Sequence, residues 1–237
     1  IAGNISDLIS SGCNKIIGVN IGLVVPSNTD WIWIKDLYTG MNHALENFGG
    51  FILGGDCSVG KEKVISITAI GTQGKLKLRR NSCKPEEIIL TTGIHGLSKL
   101  GLLINSKYNF DSDISLSKNL IDKSLQQFCR PKLRPKFLKN LLKARSNKNF
   151  SKIGCTDSSD GLFQALKDLS VESNCKAIID YKKLPRHKNW PKGNEWDKYY
   201  FFGGEDYELV FSLPKKWADN LLNLDKNISE IGYFADG

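Results

Sequence analysis

The sequence predicts an α+β protein of two domains. Two observations carry that reading: strands alternate with amphipathic helices up to about residue 85, and a polar link then opens a block richer in helix. With 237 residues, 41% hydrophobic and 24% charged, the chain is long enough for two modest domains and has an ordinary globular composition. The expected division is 1–85 and 86–237.

The elements follow in order. NISDLISSG reads as a short helix ended by Gly12, and KIIGVNIGLVV alternates as a strand until Pro26. Thr29 or Asp30 can cap the next helix, where Trp31, Ile34, Leu37, Tyr38, Met41, Leu45 and Phe48 form one apolar face and Gly49 and Gly50 stop it. FIL and VISITAIG read as two strands joined by a loop that carries Asp56. After LKLRRNSCKPEE, IILTTGIHG reads as a strand and a glycine turn. Leu116, Leu120, Ile121, Leu125 and Phe128 trace a helix, Arg130 to Pro135 breaks it, and KFLKNLLKAR resumes helical spacing. SDGLFQALKDLSVES is a further helix, and CKAIIDY and YELVFSLP are strands.

Composition excludes several functions. No apolar run approaches the roughly eighteen residues of a membrane span and no signal peptide opens the chain, so the expected location is the cytoplasm. The six cysteines contain no C-x-x-C pair, which argues against a zinc site and a disulfide framework. The net charge of +8 is spread along the chain, and no nucleic-acid module accompanies it. The chain opens without Met and stops soon after a strand-like ISEIGYF, which reads as a segment cut at both ends.

GGDCSVGK invites a phosphate-loop reading, because from Gly55 it runs G-x-x-x-x-G-K. That motif needs Ser or Thr after its Lys and a helix behind it. Here Glu62 follows, and KVISITAIG reads as strand. What remains is a carboxylate, Asp56, at the end of an apolar strand, where it is costly without a cation.

Asp56 has company. Acidic residues sit beside small ones at four element ends: Ser6-Asp7, Gly54-Gly55-Asp56, Asp157-Ser158-Ser159-Asp160-Gly161 and Gly203-Gly204-Glu205-Asp206. Each has a plain structural explanation, since Asp157 or Ser158 could cap a helix beginning near Ser159, Asp7 could answer a helix dipole, and the Gly-Gly pairs could be turns. Their recurrence is better explained by convergence on cations, and oxygen-only ligation favours magnesium over zinc.

GGDCSVG, RRNSCKPEE, TDSSDGL and GGEDYEL, in this order and spacing, resemble the thiamine-monophosphate kinase family, part of a superfamily with aminoimidazole ribonucleotide synthetase and selenophosphate synthetase. NISDL, the tryptophan helix and Cys129-Arg130-Pro131 also fit. The resemblance implies a synthetase-like subunit whose N-terminal mixed sheet pairs in a homodimer and whose C-terminal domain is α+β. It implies ATP-dependent phosphorylation of thiamine monophosphate to thiamine diphosphate, with Mg2+ and without a phosphate loop. Carried over, Asp7, Asp56, Asp157 and Asp160 are magnesium ligands, Gly55, Asp56, Arg80 and Ser159 contact ATP, and Glu205 contacts thiamine monophosphate. No covalent or general-base residue is implied, because the acceptor phosphate oxygen is already a nucleophile. Nucleic acid and membrane are not expected partners.

Ser158 stands where an apolar residue is usual, and Cys57-Ser58 where a Thr pair is usual. The resemblance also implies an aspartate-rich segment and a substrate histidine ahead of residue 1, and a substrate contact beyond residue 237, so the isolated segment is expected to have little activity. Of the histidines, His95 reads as a surface turn residue, His43 as structural and His187 as solvated. Two alternatives stand beside the kinase: another ATP-using member such as an aminoimidazole ribonucleotide synthetase, or a non-catalytic basic binding module on the same fold.

Overall fold

The computed structural model describes residues 1–110, 115–146 and 152–237, among which are nine strands and eight α-helices. The chain opens with α1 (Ala2–Ser10), β1 (Cys13–Val25), α2 (Trp31–Phe48), β2 (Phe51–Val59) and β3 (Val64–Gln73). These strands form a sheet of order β2-β1-β3, with β2 parallel to β1 across the α2 crossover and β3 antiparallel. Asp30 caps α2, its carboxylate accepting a hydrogen bond from the Ile32 amide at 2.9 Å. Gly49, at φ 96°, ends the helix.

The helical spacing over-reads α2. Met41 and Leu45 are buried and Leu37, Tyr38 and Phe48 pack against the core, but Trp31 is 71% exposed because the first turn lies outside the apolar cluster. The stretch FILGGDCSV also departs from expectation. It is one continuous strand, with Asp56 in mid-strand opposite Gly22, and all of it except Ile52 is exposed. An apolar run such as FIL suits a covered strand, but β2 is an edge strand, and its Phe51 is 75% exposed.

The rest of the chain builds a six-stranded sheet of order β4-β6-β8-β5-β9-β7. Its strands are β4 (Lys77–Arg79), β5 (Ile88–Thr92), β6 (Lys152–Asp157), β7 (Cys175–Ile179), β8 (Leu209–Leu213) and β9 (Ile228–Asp236). Helices α3 (Leu97–Asn105), α4 (Lys118–Cys129), α6 (Leu162–Ser173) and α7 (Asn194–Phe202) contribute to one apolar cluster, and α5 (Phe137–Ala144) and α8 (Lys215–Leu224) to the other.

Strand β8 shows why this sheet is covered on both faces. All five of its residues are buried, and because successive side chains alternate, Leu209, Phe211 and Leu213 join the α5/α8 cluster while Val210 joins the α3/α6 cluster. The α5/α8 cluster also takes in Ile5 and Ile9 of α1, Val19 and Ile21 of β1, and Met41 and Leu45 of α2. One apolar layer therefore joins the two sheets and fixes α1 against β6.

Candidate active site

Pairing in the large sheet sets the site. Strands β6 and β8 are antiparallel with Asp157 opposite Leu209, so the end of β6 and the approach to β8 lie side by side. The segments after β6 and before β8 are stitched together: the Glu205 amide donates to Ser159 O at 2.8 Å, the Ser158 amide to Glu208 O at 2.8 Å, and the Glu208 amide to Ser158 Oγ at 3.1 Å. The contact leaves no room at Gly204, where a Cβ would stand 2.3 Å from the Ser159 carbonyl oxygen. The hydroxyl at 158, where an apolar residue was the expectation, thus serves the junction.

Asp157 is 4% exposed and ends a strand. It does not cap α6, whose N-cap is Gly161 with no side-chain hydrogen bond. Ser6 Oγ and Ser159 Oγ, the latter at 3.0 Å, both donate to its carboxylate, which accounts for its burial. Next to Ser6 on α1, Asp7 has its carboxyl pushed above the usual range by burial and then by the charge of Asp157, while Arg80 pulls it down. Arg80 reaches across from the short 3-10 turn Arg80–Ser82, its Nε donating to Thr156 Oγ1 at 3.2 Å and its Nη1 lying 3.6 Å from Asp168 Oδ2.

Glu205 enters the same neighbourhood through Tyr207. The Tyr207 hydroxyl donates to the Glu205 carboxylate, and the phenol is pushed up by burial, by that bond and by the charges of Glu205, Asp157 and Asp7. Glu205 and Tyr207 both hold left-handed backbone, at φ 67° and 52°. For non-glycine residues such backbone persists only where the surroundings over-determine it. Burial pushes the intervening Asp206 carboxyl up to about 7 against two amide donors.

The structure thus gathers Asp7, Asp157, Ser159, Arg80 and Glu205, and with them Ser6 and Tyr207. Tyr207 went unrecognised in the sequence, although it alternates with Glu205 and so shares its side of the loop. Asp56 lies apart on β2, where Ser58 Oγ donates to it at 3.0 Å. Gly55 has a packing role, since a Cβ there would stand 1.8 Å from the Ile21 carbonyl oxygen. Asp160 is exposed at the turn before α6.

Magnesium suits this donor set. Two carboxylates that repel each other, surrounded by oxygen ligands, match an ion that takes one or two protein carboxylates and fills its other positions with water and phosphate. Among the described residues no group of three or more His, Cys, Asp or Glu side chains could hold a metal ion. Asp7 and Asp157 are thus a pair of interacting carboxylates, not a three-ligand cluster.

Two histidine readings need correction. His95 is fully buried, not a surface turn residue, with Nε2 2.7 Å from Thr91 Oγ1 and its ring edge-on to Tyr200. His187 is 4% exposed, not solvated, with Nδ1 accepting from the Asn189 amide and Nε2 2.9 Å from Asn119 Oδ1. His95 is held against Tyr200 and Thr91 and His187 against Asn119 of α4, tertiary contacts that polar loop composition conceals. His43 is exposed on α2, 3.6 Å from Glu46.

Comparison with known proteins decides the family. Residues 1–73 match the family model described as AIR synthase related protein, N-terminal domain. The thiamine-monophosphate kinase of Prochlorococcus marinus is 41% identical over 237 residues, covering 100% of this chain and 71% of the relative. The chain belongs to the thiamine-monophosphate kinase family. The family member from Bacillus subtilis is 30% identical over 245 residues, covering 100% of this chain and 72% of its own. That from Synechococcus elongatus is 29% identical over 224 residues, covering 94% and 66%. The chain thus spans about two thirds to three quarters of these relatives' length. The crystal structure of the family member from Stenotrophomonas maltophilia superposes with a TM-score of 0.83 at 25% identity, covering 100% of this chain and 74% of that one. AaThiL complexed with AMPPCP and TMP shares the fold, with a TM-score of 0.79 at 24% identity over 99% of this chain and 72% of that one. Among the described residues no helix is long and apolar enough to cross a membrane.

Proposed function

We propose that this protein transfers the γ-phosphoryl group of ATP to the phosphate of thiamine monophosphate, giving thiamine diphosphate and ADP. The observation that carries the proposal is the 41% identity to a thiamine-monophosphate kinase over all 237 residues. The geometry agrees with it, because phosphoryl transfer between two polyanions is a problem of positioning and charge.

In this reading the γ-phosphorus to bridging-oxygen bond of ATP breaks as a bond forms to an oxygen of the acceptor phosphate. That oxygen carries charge at neutral pH, so no protein base is required. Asp7 and Asp157 would hold Mg2+, with Asp56 and Asp160 as further ligands, and the ion would supply charge neutralisation for the phosphates. Arg80, anchored by Thr156, faces the nucleotide phosphates, and Ser159 and Gly55 line the nucleotide. Glu205, held by Tyr207, receives the thiamine side of the acceptor.

The homodimer belongs to the same proposal. Phe51, Leu53, Val59, Val64, Ile65 and Ile70 are exposed on β2 and β3. They leave residues 1–85 with an apolar surface that a second copy of the chain would cover, and pairing there would bring Asp56 toward a shared site. Residues 86–237 would supply the remaining nucleotide and substrate contacts.

The test is incubation of the full gene product with ATP, Mg2+ and thiamine monophosphate. The proposal expects stoichiometric thiamine diphosphate and ADP, and no turnover of formylglycinamidine ribonucleotide. ADP formation with the latter substrate alone would instead select the synthetase branch.

A further inference from the structure

Residues 205–208 carry four polar side chains that point alternately in opposite directions. Glu205 and Tyr207 meet near Asp7 and Asp157, whereas Asp206 and Glu208 turn into the protein and are 0% and 3% exposed. Asp206 reaches the start of α3, where its Oδ2 accepts from the Gly96 amide at 2.5 Å and its Oδ1 from the Ser98 amide at 2.8 Å. Its own carbonyl accepts from Gln127 Nε2 at 2.7 Å. A buried carboxylate thus satisfies two orphan amides of a helix N-terminus more than a hundred residues away in sequence. It does so between the two residues whose left-handed backbone aims them at the acidic pair.

We propose that Asp206 is a positioning residue for phosphoryl transfer to thiamine monophosphate, acting through Glu205: the clamp on α3 fixes the backbone that presents the Glu205 carboxylate and the Tyr207 hydroxyl to the acceptor. The inference rests on the kinase reading. A carboxylate that only capped α3 would affect both substrates alike and would be indifferent to the side chain at 205. A clamp acting through Glu205 affects the acceptor selectively and loses its effect once Glu205 is gone, which is the signature of energetic coupling.

The test uses the full gene product as parent, Glu205→Gln, Asp206→Asn and the double variant, with thiamine monophosphate varied at saturating magnesium and ATP. Asparagine retains the volume but has one acceptor oxygen, so its amide group faces one of the two N–H donors. The expected result is a fall of about ten-fold or more in kcat/KM for thiamine monophosphate in each single variant. The double variant should fall no further than the worse single by more than about two-fold, with an unchanged KM for ATP in Asp206→Asn. Losses that multiply in the double variant, or a KM for ATP raised as much as that for the acceptor, would overturn the proposal. If Asp206→Asn does not fold, Gln127→Leu, which deletes the bond to the Asp206 carbonyl, should show the same acceptor-selective and non-additive loss. Hydrogen exchange separates this inference from the kinase reading. Asp206→Asn should accelerate exchange of the amides at 205 and 207 even in a protein that turns over nothing, and unchanged exchange there refutes the clamp.

Discussion

Ser6 and Asp157 lie 151 residues apart in sequence and share a buried hydrogen bond, the hydroxyl of α1 donating to the carboxylate that ends β6. The bond ties α1 to the large sheet at the point where negative charge collects. Among the described residues, Ser6→Ala leaves Asp157 with Ser159 as its side-chain donor. Loss of one hydrogen bond to a buried carboxylate is expected to cost about 1–3 kcal/mol, measured as a lower urea midpoint with an unchanged slope.

Asp7→Asn should move stability and activity in opposite directions. The folded Asp7 carboxyl is raised by burial and by Asp157, so its ionisation at neutral pH opposes folding, and asparagine removes that opposition. Metal-free protein should melt at or above the parent temperature. If Asp7 is a magnesium ligand as proposed, turnover should fall by roughly 10²-fold or more, since its loss removes several kcal/mol of charge stabilisation. Thermal melts without metal and steady-state assays with magnesium check the two halves.

Arg134→Met strands a charge. Glu208, with its side chain 4% exposed, is gripped by Arg134 Nε at 2.9 Å and by Nη2, and takes a further bond from Thr92 Oγ1. Removing the guanidinium leaves a buried carboxylate uncompensated, at an expected cost of about 3–5 kcal/mol. Arg134→Met with Glu208→Leu should recover most of that loss, and chemical denaturation of the two variants measures the difference.

His95 sets an acid-sensitive component of stability. Burial lowers its pKa from 6.5 to about 3, so the folded state resists the proton that the unfolded chain accepts. The neutral imidazole carries no penalty above pH 6.5. Stability is lost as pH falls from 6.5 toward 3, with a slope of up to about 1.4 kcal/mol per pH unit from this residue. His95→Phe should show a shallower decline in urea-derived stability between pH 6.5 and 5.

Local rules were legible where the physics is local. Gly12, Pro26, Asp30 and Gly49 mark the ends of α1, β1 and α2 because caps and breakers act over a few residues. Asp7, Asp157 and Glu205 stand out in the sequence as acids beside small residues, and the fold brings them together, although Asp7 lies within α1 and not at its end, outside the first turn where it would answer the helix dipole. What the sequence hid depends on tertiary partners. FIL reads as an apolar strand, yet among the described residues β2 has no partner on its outer edge and stays exposed, and the helix-cap alternative for Asp157 fails because Asp157 closes a strand. The inward turn of His95, His187 and Asp206 follows from distant partners, which are Tyr200, Asn119 and the amides at the start of α3 respectively.

The most direct test of the central claim, that Asp7 and Asp157 form a magnesium-dependent seat for a nucleotide triphosphate, is calorimetric titration of ATP with and without Mg2+, repeated for Asp157→Asn. The account predicts magnesium-dependent binding in the parent and at least ten-fold weaker binding in the variant. Equal affinity with and without magnesium, or full affinity in a folded Asp157→Asn protein, would contradict it.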